Sequence, residues 1–133
     1  MRRQCIAIWL FRLSGGRLGS RFSGAPVCLV TVKGRKTGQP RTVPLLYLQH
    51  GDELVLVASK GGMSHHPVWY HNMMANPRVE VEIGQEKRTM TVRRASDEEK
   101  QRLWPELVKM YADYDQYQAR TTRNIPVLVL SPA

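Results

Sequence analysis

The chain has 133 residues, with 20 Lys and Arg against 11 Asp and Glu, so it carries +9 with its four histidines neutral. That length suits one folded domain. A composition of 42% apolar and 23% charged residues argues against a disordered chain, and no apolar run reaches the roughly 20 residues that a spanning helix needs.

The charge is lopsided. Residues 1–50 contain nine basic side chains (Arg2, Arg3, Arg12, Arg17, Arg21, Lys33, Arg35, Lys36 and Arg41) and no acidic one, whereas residues 51–133 hold 11 of each sign. Such a one-sided field concentrates anions, and nucleic acid, an anionic membrane surface and a polyanionic small ligand all answer to it. The two cysteines, Cys5 and Cys28, are too few for a disulfide framework. A reducing cytoplasm is the expected compartment.

Residues 1–23 form a short basic segment. Its apolar stretch 5–13 (CIAIWLFRL) is interrupted by Arg12 and lacks a signal-peptide cleavage pattern. An amphipathic helix fits better, either packed on the domain or lying at a membrane interface. The folded domain is expected over 24–133.

Strand signals begin at 27–33 (VCLVTVK) and stop at the polar turn GRKTGQP. A second run, 41–49, contains Pro44, which points to an edge or bulged strand. A third strand, 53–59, follows the His50-Gly51-Asp52 turn and completes a meander. Lys60-Gly61-Gly62 is then a loop, and a helix over 67–75 begins with Pro67 at its first position and stops before Asn76-Pro77. The alternating run 78–83 and the run 87–94 are joined by Gly84-Gln85 as a hairpin. Ser96 and Glu99 make a capping box for a helix whose apolar face carries Leu103, Leu107, Val108 and Met110, and 125–130 is the closing strand. Six antiparallel strands with two to three helices predict a mainly β, α+β fold arranged as a small barrel.

Four groups of residues carry chemistry. Gly34-Arg35-Lys36-Thr37-Gly38 with Arg41 offers guanidinium, ammonium and hydroxyl donors on a turn that can approach an anion closely. It lacks the Walker spacing, and a solvated hairpin tip is its plain structural alternative. Ser59-Lys60-Gly61-Gly62 leads into a helix and supplies a second set of anion donors, unless it is a routine connection. No nucleophile elbow surrounds Ser59. His65, His66 and His71 lack metal-ligand spacing, so no metal is expected. Tyr111, Tyr114 and Tyr117 recur every three residues and share one face of a helix. Core packing is the common reason for such a stripe, but the Asp113, Asp115 and Gln116 around it favour an open, ligand-facing wall.

Taken together, GRKTGQPR, PLLYL, ASKGG, HPVWYHNMMANP and WPELVKMYADYDQYQARTTRNIPVLVL, in that order and spacing, resemble the deazaflavin-dependent nitroreductase family of actinobacteria. The resemblance spans most of the chain, from about residue 24 to 132. It implies a split β-barrel that binds reduced coenzyme F-420, an 8-hydroxy-5-deazaflavin with a phosphate and a poly-γ-glutamate tail, and it fits the acid-free first half. By motif position, Arg35, Lys36, Thr37 and Arg41 would hold the phosphate and tail. Thr42, Val43, Pro44 and Tyr47 would line the approach to the ring, with Ala58, Ser59 and Lys60 near ring and phosphate. Val68, Trp69, Tyr70, His71 and Asn72 would wall the site. Ser59, Tyr111, Tyr114 and Tyr117 take the acceptor-side, catalytic positions.

The implied reaction is hydride transfer to a small organic acceptor, a quinone, nitroaromatic or activated double bond, with Tyr114 or Ser59 orienting the acceptor or protonating it. That chemistry needs no protein nucleophile. The competing readings are an FMN-binding split barrel and a basic nucleic-acid-binding barrel; with the tyrosines in the neutral half and no RNA-binding signature, no nucleic-acid partner is expected. Peripheral attachment to the inner membrane face through 5–13 is an accessory possibility.

Overall fold

Strand β2 (Ala25–Lys33) sends Cys28, Val30 and Val32 into an apolar interior, as its alternation requires. The computed structural model describes residues 21–22 and 24–133. The basic segment 1–23, with Cys5 and the stretch 5–13, lies almost entirely outside them. Around β2 stand β1 (Arg21–Phe22), β3 (Pro40–Leu46), β4 (Leu48–His50), β5 (Glu53–Val57), β6 (Arg78–Ile83), β7 (Glu86–Arg94) and β8 (Val127–Pro132), with helices α1 (Val68–Ala75), α2 (Asp97–Met110) and α3 (Asp113–Ala119).

Every pairing is antiparallel, in the order β3-β2-β6-β7-β8-β5-β4, with β1 added to β2. Eight strands are therefore present among the described residues, where six were expected. Part of the difference is the single run 41–49, which divides at Tyr47. Before that point β3 pairs with β2, Pro44 opposite Leu29; beyond it β4 pairs with β5. The Tyr47 N–H donates to the Pro26 carbonyl at 3.1 Å and marks the corner. The expected meander is thus replaced by one segment whose two halves form the two edges of the sheet. Among the described residues no ladder closes the sheet, but this bent segment joins its edges and gives the split-barrel form. Pro44 does sit on an edge strand, where its missing N–H costs no ladder bond.

Strands β5 and β8 are buried on both faces. Leu54, Leu56, Leu128 and Leu130 point into the barrel with Met90, Val81 and Val92, and α1 plugs one end with Tyr70 and Met73. Val55, Val57, Val127 and Val129 point outward, against Leu103 and Leu107 of α2, Tyr114 of α3, and Ile125. Helices α2 and α3 therefore cover one wall of the barrel. Inside that barrel, burial pushes the Cys28 thiol up to about 12, which leaves it a packing residue.

The local signals mostly held. Ile83 pairs with Glu86 across Gly84-Gln85, with Gly84 at φ 61° as a tight hairpin needs. Pro67 caps α1 from one position earlier than expected. The Ser96 hydroxyl accepts from the Glu99 N–H at 3.2 Å, but the Glu99 carboxylate turns to Arg93 (2.6 and 2.9 Å), so only half the capping box forms.

Gly62 is fixed by two constraints. It sits at φ 77°, and a Cβ there would stand 2.9 Å from Tyr117 Cα and overlap the Tyr117 carbonyl oxygen. Replacing it by alanine should destabilise the fold by about 2–4 kcal/mol, from left-handed strain plus a backbone clash. The check is a fall in urea midpoint at unchanged m-value.

Candidate functional site

Where β5 ends, a cavity of about 480 Å³ opens between the barrel and the helices. Val27, Pro44, Leu45, Leu46, Leu56, Val57 and Trp69 make it largely apolar, and Ser59, Lys60, Gly61, Tyr111, Tyr114 and Tyr117 bring the polar groups. A concave apolar site with a few convergent donors is the usual form of a small-molecule pocket.

The three tyrosines meet here, though not as one helical stripe. Helix α2 ends at Tyr111 (φ −146°, ψ 97°), and Tyr114 and Tyr117 belong to α3. Neither is the series an open wall. Tyr114 is only 3% exposed and packs in the outer core, edge-on to Tyr111 at 5.0 Å between ring centroids. Tyr111 and Tyr117 are half-buried and join hydroxyl to hydroxyl at 3.1 Å. Burial first, then the neighbouring phenols, raises the pKa of Tyr114; the hydrogen bond with Tyr117, then burial, raises that of Tyr111. Both stay protonated across the physiological range.

The Tyr114 hydroxyl has no hydrogen-bond partner among the described residues, and neither has the Ser59 hydroxyl. No buried side-chain oxygen or nitrogen there lacks both partner and solvent. The two hydroxyls are therefore open to solvent or a ligand, on residues that line the cavity.

Ser59 and Lys60 are placed by a contorted turn. Lys60, Gly61 and Gly62 have φ of 43°, 62° and 77°. The Gly62 N–H donates to the Ser59 carbonyl at 2.9 Å, and the Lys60 ammonium lies 2.7 Å from His65 Nε2.

The basic hairpin tip is exposed, and among the described residues no carboxylate pairs with Arg35, Lys36 or Arg41. The tip is braced internally: Gly34 N–H to Gln39 O at 2.8 Å, Gly38 N–H to Gly34 O at 2.9 Å, and Gln39 N–H to the Thr37 hydroxyl at 3.2 Å. Helix α1 fastens it to the cavity. The buried Asn72 accepts the Arg35 N–H at 3.1 Å, Asn76 donates to the Lys33 carbonyl at 3.1 Å, and Trp69, one turn before Asn72, lines the cavity. Along β3, Arg41 precedes the cavity-lining Pro44 by three residues, about 10 Å. Tip and cavity are therefore bridged by α1, because β2 and β5 are not neighbours in the sheet.

Other expected site residues fall elsewhere. Val43, Ala58 and Tyr70 are buried in the barrel core, and Tyr47 packs against it. Thr42 bonds across the strand to Thr31 at 2.8 Å. Tyr70 accepts from Arg94 at 2.9 Å, His71 stacks obliquely with His66 and Tyr70, and Val68 is 65% exposed. Among the described residues no cluster of three His, Cys, Asp or Glu could hold a metal, and no helix is long and apolar enough to cross a membrane. Sequence reasoning named Pro44 but missed the rest of the apolar strand lining, Val27, Leu45, Leu46, Leu56 and Val57. It also missed Arg123, whose long-range contacts leave no local signature.

The sequence of this site and fold matches a family model described as F-420-H2-dependent quinone reductase, over residues 3–132. The chain belongs to that family. It is 43% identical over 126 residues to an F-420-H2-dependent quinone reductase of Mycobacterium tuberculosis, covering 92% of this chain and 85% of that one. A solved F-420-H2-dependent reductase superposes with a TM-score of 0.74 at 39% identity, over 80% of this chain and 94% of its own. A second solved chain, described as a domain-swapped dimer, gives 0.76 at 35% identity over 96% and 97%. The chain is thus an oxidoreductase of the split-barrel type that depends on reduced F-420, within the wider group that the sequence motifs indicated.

Asn72→Ala should leave the Arg35 N–H without its partner and cost about 1–3 kcal/mol. Faster amide exchange at Arg35, with the β2–β3 ladder unchanged, is the expected result.

Proposed function

We propose that this protein passes a hydride from reduced F-420 to a quinone seated against Ser59 and Tyr114. The supporting observation is an apolar cavity that presents two unpartnered hydroxyls and an ammonium, next to three cations that no described carboxylate neutralises. The chemistry of the donor set fits the coenzyme. A planar ring suits the apolar cavity that Pro44 and Trp69 help to line, and a phosphate with several carboxylates suits Lys60 and the Arg35, Lys36, Thr37 and Arg41 tip.

When bound, the coenzyme supplies the hydride at C5 of its ring. The protein supplies the rest. Leucine, valine and tryptophan walls exclude water from the transfer, and the rigid strands β3 and β5 hold donor and acceptor in one orientation. One hydride and one proton convert a quinone to a quinol, so negative charge develops on the acceptor oxygen. Tyr114 donates a hydrogen bond to that oxygen and, with its pKa raised, remains a phenol that stabilises the charge without giving up its proton, which solvent supplies to complete the quinol. Ser59 orients the same oxygen, and the Tyr111–Tyr117 pair fixes the ring of Tyr114 from the other side.

Fluorescence titration of F-420 and FMN in parallel tests the coenzyme reading. The Arg35→Ala/Lys36→Ala double variant should weaken F-420 about 10-fold or more. A titration in which only FMN bound would overturn the reading.

Tyr114→Phe tests the acceptor side. Removing a hydroxyl that makes no protein bond should change stability by less than about 0.5 kcal/mol. It should lower kcat with a quinone about 10- to 100-fold while the F-420 Kd holds. Unchanged kcat would overturn the role of the Tyr114 hydroxyl on the acceptor side.

A further inference from the structure

Arg123 sits between α3 and β8, yet its guanidinium reaches back to four residues of the segment 58–66. Nη1 donates to the Ala58 carbonyl at 3.0 Å, Nη2 to the Ser59 carbonyl at 2.7 Å, and Nε to the Met63 carbonyl at 3.0 Å. Nη1 also lies 2.7 Å from His66 Nδ1. No carboxylate shares this guanidinium among the described residues. The segment it holds contains Lys60 in the left-handed region, a conformation that an L-residue keeps only when its surroundings impose it.

We propose that Arg123 is the positioning residue of the cavity, setting Ser59 and Lys60 against the ligand, and that His66 must be neutral for this brace to form. The identity of the ligand rests on the reading above; the brace itself does not. A guanidinium only donates, so His66 Nδ1 must accept and its proton sits on Nε2. Protonating His66 would set two N–H donors and two positive charges against one another. The groups facing His66 are Arg123, Arg94 at the end of β7, and His71 and Tyr70 of α1. None is an acid that would favour the imidazolium. Burial, then Arg123, Arg94 and His71, accordingly holds the His66 pKa below its ordinary 6.5.

The sign follows from linkage. With the folded pKa lowered, the neutral ring's contribution is complete above about pH 6.5 and is lost as pH falls through the folded value. The brace therefore releases the Ser59–Lys60 turn on the acid side.

Three variants test this: Arg123→Ala, Arg123→Lys and His66→Asn, whose side-chain oxygen offers an acceptor that does not titrate. The first readout is amide exchange at Gly62 and Met63 in the protein without coenzyme, since these N–H groups close the turn on Ser59 and Lys60. Arg123→Ala should speed it about 10-fold or more, and Arg123→Lys less, because an ammonium replaces part of the fork. The second readout is kcat/KM for reduced F-420 between about pH 5 and 8. It should fall at least about 10-fold in Arg123→Ala, the equivalent of losing one charge-assisted bond. The wild-type decline on the acid side should flatten in His66→Asn.

Unchanged exchange and kinetics in Arg123→Ala would overturn the positioning role. An acid decline that persists in His66→Asn would overturn the histidine requirement. Should Arg123→Ala fail to fold, Arg123→Lys and His66→Asn carry the same two readouts. A protein that bound no F-420 would defeat the proposed function but leave the exchange result to decide the brace.

Discussion

Strands β5 and β8 are required to be apolar on both faces, and the cavity follows from that requirement. Their leucines fill the barrel while their valines receive α2 and α3. A strand in this position cannot alternate polar and apolar residues, which is why ELVLV and VLVL read as continuous apolar runs. The two cores are separated only by the thickness of a sheet. At the end of β5 neither core fills the space completely, so Leu56 from the inner face and Val57 from the outer face both border the same opening. The site is thus a seam between two packed layers, and its walls are as rigid as the strands that form them.

Polar groups enter that seam from irregular backbone. Ser59 and Lys60 come from a turn with three successive positive φ values, and Tyr111 from the break between α2 and α3. A lysine at φ 43° costs about 1 kcal/mol. Hydrogen bonds from a charged guanidinium contribute about 1.5–3 kcal/mol each, so Arg123 can hold a turn that its own sequence would not choose. Gly62 shows the other half of the constraint, since the turn must also leave room for the α3 backbone lying against it.

What the sequence made legible was local. The β6–β7 hairpin, the Ser96 cap, the edge character of the Pro44 strand and the basic tip each depend on a few adjacent residues, and each was readable. The Tyr47 corner was not: 41–49 is a good strand throughout, and only the pairing of its halves with β2 and β5 divides it. Val43, Ala58 and Tyr70 were expected near the ligand by motif position, and strand and helix periodicity turn their side chains into the barrel core. The tyrosine spacing was read on a single helix, and its polar neighbours suggested an open wall because the apolar partners of the Tyr114 cluster, Val55, Val57 and Val129, lie far away in sequence. Arg123, some 60 residues from the carbonyls it holds, belongs to the same class of long-range information.

The phenol cluster shows how one residue type takes two roles by environment. Tyr111 and Tyr117 satisfy each other, which leaves their hydroxyls committed and their rings as a fixed wall. Tyr114 is the most deeply buried of the three, yet it alone keeps an uncommitted hydroxyl. A phenol buried among other phenols resists ionisation, so it remains a hydrogen-bond donor and not a base. Most of the charge is carried apart from the phenols: Arg41 lies about 10 Å along β3 from the cavity-lining Pro44, and Arg35 and Lys36 stand on the tip before it. Within the cavity Lys60 is the cationic side chain among the lining residues, so most of the positive charge stands away from a reacting centre whose other walls are hydroxyl-bearing or apolar.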